Sequence, residues 1–291
     1  MASQAKDSGK VIAPSSTHRW VILFLSWLLY LSFGLIYTAL SVLVTPVMNE
    51  LNLTYSQMGV ILGSWQLVYI FFAQPAGLLV DHLGPHKCLF LGATVISLSA
   101  GLRWFAVNFE SLLLFVALFG IGGPMISIGL PKLAAMWFLG RERGTASGVY
   151  NMGSIVGGMI ALSATNSVVM PIVGDWKKVF LVYSSISFLI ALLWLFVGHR
   201  YLSTQEARPT AGSSEGESSW ETMKDLFKNR NIWLIVIIGI TSFLTSHGLS
   251  NWLPKIFELN GMTPQEAGFA VSFLNLFGIF GSILIPRLPY I

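Results

Sequence analysis

The chain has 291 residues, of which 54% are apolar and only 10% charged, with a mean hydropathy of +0.69. Soluble domains carry about 25% charged residues, so a soluble fold of this length is excluded and the chain reads as a membrane protein. The net charge of +4 comes from basic residues scattered between apolar runs, which argues against a nucleic-acid-binding patch and for the flanks of membrane spans. The single cysteine, Cys88, excludes an internal disulfide framework and a cysteine-based metal cluster.

The predicted elements are all α-helical. Met1–Arg19 is polar and reads as a disordered cytoplasmic tail, because the apolar run behind it is too long for a cleaved signal peptide. Eight runs then approach the ~20 residues that a bilayer requires: Trp20–Pro46, Gln57–Val80, Cys88–Val107, Ser111–Phe138, Ala146–Met170, Val179–Gly198, Ile232–Leu253 and Gln265–Ile285. A polar linker separates the sixth from the seventh. It starts as Ser/Gly/Glu-rich coil and ends in Trp220–Lys228, where Trp220, Met223 and Phe227 recur at helical spacing. That segment is either a helix on the inner membrane surface or one packed on protein.

Lysine and arginine set the orientation. With the N-terminus in the cytoplasm, twelve of the 17 fall inside and only Lys177, Lys178 and Lys255 outside; Arg103 and Lys132 lie within spans. The domain plan is a tail at 1–19, a six-helix bundle at 20–200, a cytoplasmic linker at 201–231, and the first two helices of a second bundle at 232–291. The fold class is therefore an all-α, polytopic membrane protein in an integral, multi-pass setting.

Between the second and third spans stands Gly77–Lys87, GLLVDHLGPHK. Gly77 removes a side chain where a helix can approach, Asp81 can accept hydrogen bonds or pair with a cation, and Gly84-Pro85 forces a tight reversal. The order Gly-x-Leu-x-Asp-x-x-Gly-Pro-x-Lys resembles the loop between helices 2 and 3 of the major facilitator superfamily of secondary transporters. Gly77, Leu79, Asp81, Gly84 and Lys87 match it; His82 departs from the usual arginine, and His86 stands where a second basic residue is common. The resemblance implies a gating loop at Gly77, Asp81, Gly84 and Lys87. Arg141-Glu-Arg-Gly144, the stripe Asn151–Gly158 and the turn Gly174–Phe180 resemble the same family. His247-Gly-Leu-Ser-Asn-Trp-Leu-Pro254, with Gly261 and Gln265–Gly268, resembles its cyanate porter branch. Family members carry twelve helices, so the resemblance implies a chain that stops after helix 8, with Pro286–Pro289 where a second loop signature would begin.

Polar and small residues repeat at helical spacing on three spans: Ser26, Tyr30, Gly34, Tyr37 and Ser41; Gly59, Gly63, Gln66, Ile70 and Gln74; and Ser147, Asn151, Ser154, Gly158 and Thr165. The glycines are expected to serve helix packing. The substrate-binding candidates are Tyr30, Tyr37, Gln66, Asn151, Lys132, His247, Asn251 and Asn275. Lys132 is read either as snorkelling to the inner surface or as a cation facing a cavity, and Arg103 as snorkelling at the outer end. No carboxylate falls deep in a predicted span. Nothing pairs a nucleophile with a base, cradles a phosphate or gathers metal ligands, so no enzyme activity, cofactor or metal is expected. The expected function is secondary transport of a small solute, an anion, by alternating access at the plasma membrane. A coupling ion is a possible further partner of unread identity, and the alternative function is a truncated, non-transporting membrane fragment.

Overall fold

In the computed structural model of the protein, residues 16–138, 140–198 and 230–284 are described. Residues 16–19, expected to be disordered, form the first turn of the first helix, whereas residues 1–15 of the expected N-terminal tail, the Trp220–Lys228 segment and Pro286–Pro289 lie outside the described residues. Every regular element among them is helical: α1 (Ser16–Val42), α2 (Val44–Leu51), α3 (Tyr55–Leu83), α4 (Pro85–Leu102), α5 (Phe109–Trp137), α6 (Arg141–Ala164), α7 (Met170–Val173), α8 (Trp176–Leu193), α9 (Arg230–Leu259) and α10 (Pro264–Leu284). Seven are long and apolar enough to cross a membrane, once α6 and α8 are joined to the short segments that continue them. The eighth predicted run also forms a helix, α10. This is the all-α, polytopic architecture expected from the apolar runs.

Local chemistry sets where these helices begin. Thr54 Oγ1 accepts from Gln57 N at 3.2 Å while Thr54 N donates to Gln57 Oε1 at 2.9 Å, a reciprocal cap that starts α3. Asn108 and Ser111 do the same for α5. Gly84, at φ 80°, joins α3 to α4 with Pro85 at the first helical position. The predicted spans come out shifted by a few residues because such polar caps extend helices past their apolar cores. α9 is the clearest case. It continues to Leu259, which brings Glu258 onto the helix as a carboxylate that the seventh predicted span left out.

The first six long helices form one bundle, in which α1 packs on α6 and α8, and α5 packs on α3 and α4. Close approach depends on glycine at the α4–α5 contact. A Cβ on Gly122 would stand 3.0 Å from Ile96 Cγ1 and 3.1 Å from Val95 Cβ, tighter than ordinary contact. α9 and α10 attach to this bundle at one end, the end where α1 finishes at Val42. There Lys255 Nζ donates to Thr45 Oγ1 at 2.8 Å, and Thr45 Oγ1 in turn donates to Glu258. Lys255 and Glu258 also pair at 3.5 Å. A five-residue π-helical segment, Thr165–Val169, carries Asn166, whose side chain donates to Val42 O at 3.0 Å and Pro264 O at 3.4 Å. At the opposite end, where α3 finishes at Leu83, the first turns of α9 are mostly exposed.

Candidate functional site

Between the six-helix bundle and α9 lies a cavity of about 820 Å³. Its wall is mainly aromatic: Phe33 and Tyr37 stand one turn apart on α1, Trp65 and Tyr69 one turn apart on α3, and Phe243, His247 and Trp252 come from α9. Tyr30 also lines the wall, with its ring 6.0 Å from that of Tyr150. Polar groups converge among the rings. Tyr37 Oη and His247 Nδ1 share a hydrogen bond of 3.2 Å, and the Tyr69 and Ser127 hydroxyls lie 2.5 Å apart. Gln66 is only 9% exposed, and its side-chain carbonyl has no hydrogen-bond partner. A buried, unsatisfied acceptor costs free energy, so Gln66 stands ready to accept from a bound solute. Few polar atoms in an aromatic pocket are what a small-molecule site presents.

Of the sequence candidates, the cavity gathers Tyr30, Tyr37, Gln66, His247 and Asn251. The other three stand elsewhere. Asn151 is exposed and donates to its own helix, Nδ2 to Ser147 O at 2.7 Å. Asn275 sits half-buried on α10, away from the wall. Lys132 Nζ reaches across from α5 to Asp81 Oδ1 at 2.5 Å, at the Leu83 end. It therefore satisfies the loop carboxylate rather than facing the cavity. Two glycines also depart from expectation. Gly59 and Gly63 line the cavity instead of packing a helix: a Cβ on Gly63 would meet nothing within 4 Å, and one on Gly59 only Trp252 at 3.6 Å.

Asp81 is exposed at the end of α3, Gly84 turns the chain, and Lys87 faces outward. No described atom would come within 4 Å of a Cβ on Gly77, so that helix face is open. His86 is turned inward instead of joining the basic surface. Its ring centroid lies 5.5 Å from that of Trp194, whose indole N–H donates to His86 O at 3.0 Å.

Sequence reasoning missed Phe33, Trp65, Tyr69, Ser127, Ser154, Phe243 and Trp252 as wall residues. A signal was present: aromatic pairs four residues apart on α1 and α3 share a face with the polar stripes. Arg103 departs most from its expected place. It does not snorkel; it is 2% exposed, lies with Cζ 4.6 Å from the centre of the Phe180 ring, and borders a small void behind Tyr37, Trp65 and Asn251.

A bundle of long apolar helices around a central aromatic cavity defines a multi-pass integral membrane protein. The profile of the Major Facilitator Superfamily matches residues 22–289, and the chain belongs to that family. Among similar proteins, the hexuronate transporter of Bacillus subtilis is 32% identical over 183 residues, covering 62% of this chain and 43% of that protein. The hexuronate transporter of Escherichia coli is 27% identical over 256 residues, covering 84% of this chain and 58% of that one. The chain thus spans about half the length of the curated relatives it matches. In fold it resembles a bacterial homolog of the human lysosomal transporter Spinster, with a TM-score of 0.76 at 19% identity over 95% of this chain and 64% of that one.

Proposed function

We propose that the protein serves secondary transport of a small anionic solute by alternating access, with the cavity as the binding site. The observation that carries this reading is the cavity's asymmetry. At the Val42 end, Thr45, Lys255, Glu258, Asn166 and Gln265 hold the bundle to α9 and α10; at the Leu83 end the first turns of α9 are mostly exposed. A cavity set between the six-helix bundle and α9, with the two held together at the Val42 end, fits a carrier that exposes its site alternately by rocking one unit against the other. Tyr37, Gln66, His247 and Asn251 are the proposed solute contacts. Gly77, Asp81, Gly84 and Lys87 are the proposed gating loop, with Asp81 anchored by Lys132.

The solute class follows from charge and from the relatives. Among the described residues no acidic side chain lines the cavity, and the named relatives are hexuronate transporters. A carboxylate-bearing sugar acid is the favoured cargo. A smaller anion such as cyanate is the narrower reading carried by His247–Pro254. The basic-residue bias places the Leu83 end and the 1–19 and 201–231 segments in the cytoplasm, at the plasma membrane, with 20–200 and 232–291 as the two membrane units.

The test is uptake into proteoliposomes of labelled galacturonate beside a labelled cation. Anion uptake is expected; uptake of the cation alone overturns the reading. For orientation, cysteine tags at Ser8 and Ser214 should stay unlabelled by an impermeant reagent in intact cells. Labelling from outside reverses the topology.

A further inference from the structure

The Arg103 guanidinium is the least explained charge in the molecule. It follows directly on α4, in the 3₁₀ turn Arg103–Phe105, and is 2% exposed. Its Nε and one terminal nitrogen have no hydrogen-bond partner, and no carboxylate lies within ion-pair distance of it among the described residues. Among the described residues its close compensation is the Phe180 ring face at 4.6 Å. A buried cation left so nearly unpaired is disfavoured in any folded membrane protein, so its retention at a site that an apolar side chain could fill calls for a use.

Its position supplies one. Arg103 borders a void of about 10 Å³ together with Tyr37, Trp65 and Asn251, and those three side chains also form the wall of the large cavity. One layer of side chains therefore separates Arg103 from the solute space. Among the described residues the cavity wall holds no Lys, Arg, Asp or Glu, and Lys132 is committed to Asp81. In a low-dielectric wall, a charge one side chain away acts strongly on what the cavity holds.

We infer that Arg103 is the specificity-determining charge of the cavity, acting through the Tyr37, Trp65 and Asn251 layer to favour solutes that carry a carboxylate over their neutral counterparts. The inference rests on the anion reading above. It differs from a purely structural role, in which the guanidinium merely covers the Phe180 ring.

The test measures binding of galacturonate and of galactose, which differ by one carboxylate, to the purified full chain in detergent. The wild type is expected to prefer galacturonate by on the order of tenfold or more. Arg103→Gln should lose that preference and Arg103→Lys keep most of it. A second pair leaves Arg103 and Phe180 in place: Val116 borders the same void, so Val116→Asp supplies a partner that neutralises Arg103, whereas Val116→Asn fills the same space without charge. Val116→Asp should abolish the preference and Val116→Asn retain it, and this pair decides the matter where Arg103→Gln does not purify. An undiminished preference in Val116→Asp or Arg103→Gln overturns the role of Arg103 and leaves the anion reading standing. A wild type without preference for galacturonate overturns both.

Discussion

Two basic side chains inside predicted spans end in opposite circumstances. Lys132 reaches the Leu83 end of the bundle, where its Nζ meets Asp81 at 2.5 Å and the carboxylate side chain is 66% exposed. Arg103 turns inward, fully covered, and meets a ring face where an acid would be expected. An exposed pair is solvated in either state and contributes little, so Lys132–Asp81 serves geometry, holding the loop to α5. A buried cation with no carboxylate partner among the described residues cannot be neutral in its effect. It lowers stability and biases the charge of whatever binds beside it. Placement, rather than residue type, separates an anchor from a selectivity element.

The largest expected effect breaks the comparison at its buried end. Arg103→Met removes a charge with no acid partner and fills the site with a flexible apolar chain, so stability should rise by about 1 kcal/mol or more, read as a higher unfolding midpoint in detergent. A marked loss of stability would instead make the guanidinium a structural part of the Phe180 contact. The opposite end should respond weakly in stability and visibly in function. Asp81→Asn and Lys132→Met are each expected to cost about 0.2–1 kcal/mol and to be non-additive in a double-mutant cycle, while Asp81→Asn inserts normally and slows galacturonate uptake. Wild-type uptake by that variant would reduce the loop to a turn.

The smallest effect concerns a third charged group, intermediate between the two. Glu50, on α2, accepts from Lys177 at 2.7 Å and from the Trp176 indole N–H at 2.6 Å. The Lys177 hydrogen bond holds its carboxyl below the ordinary value of 4.5, burial opposes that, and the Trp176 bond adds to it. A depressed carboxylate contributes stability that is complete above its unfolded value and is lost as pH falls through its folded value. Glu50→Gln should therefore lower stability slightly at pH 7, where the pair contributes in full, and flatten part of the loss below about pH 4.5. An unchanged acid limb would show that the pair is fully screened by water.

Apolar runs of bilayer length and the bias of basic residues were enough to read an all-α, multi-pass chain, because a spanning backbone must satisfy its hydrogen bonds within each segment. Five candidate cavity residues, Tyr30, Tyr37, Gln66, His247 and Asn251, were legible for a similar reason: a polar side chain in an apolar helix needs a face away from lipid. Sequence spacing could not say which polar groups already had partners. Asn151 is satisfied by its own helix, Lys132 by Asp81 on a helix 51 residues away, and only the packed bundle shows either. The fate of Gly63 was equally hidden, since a missing side chain serves a tight contact or an open cavity with the same letter. For Arg103, local sequence suggested an escape to the membrane surface. The bundle decided otherwise, because α4 and α8 pack so closely that Phe180 lies over the guanidinium and the shortest path to water is closed.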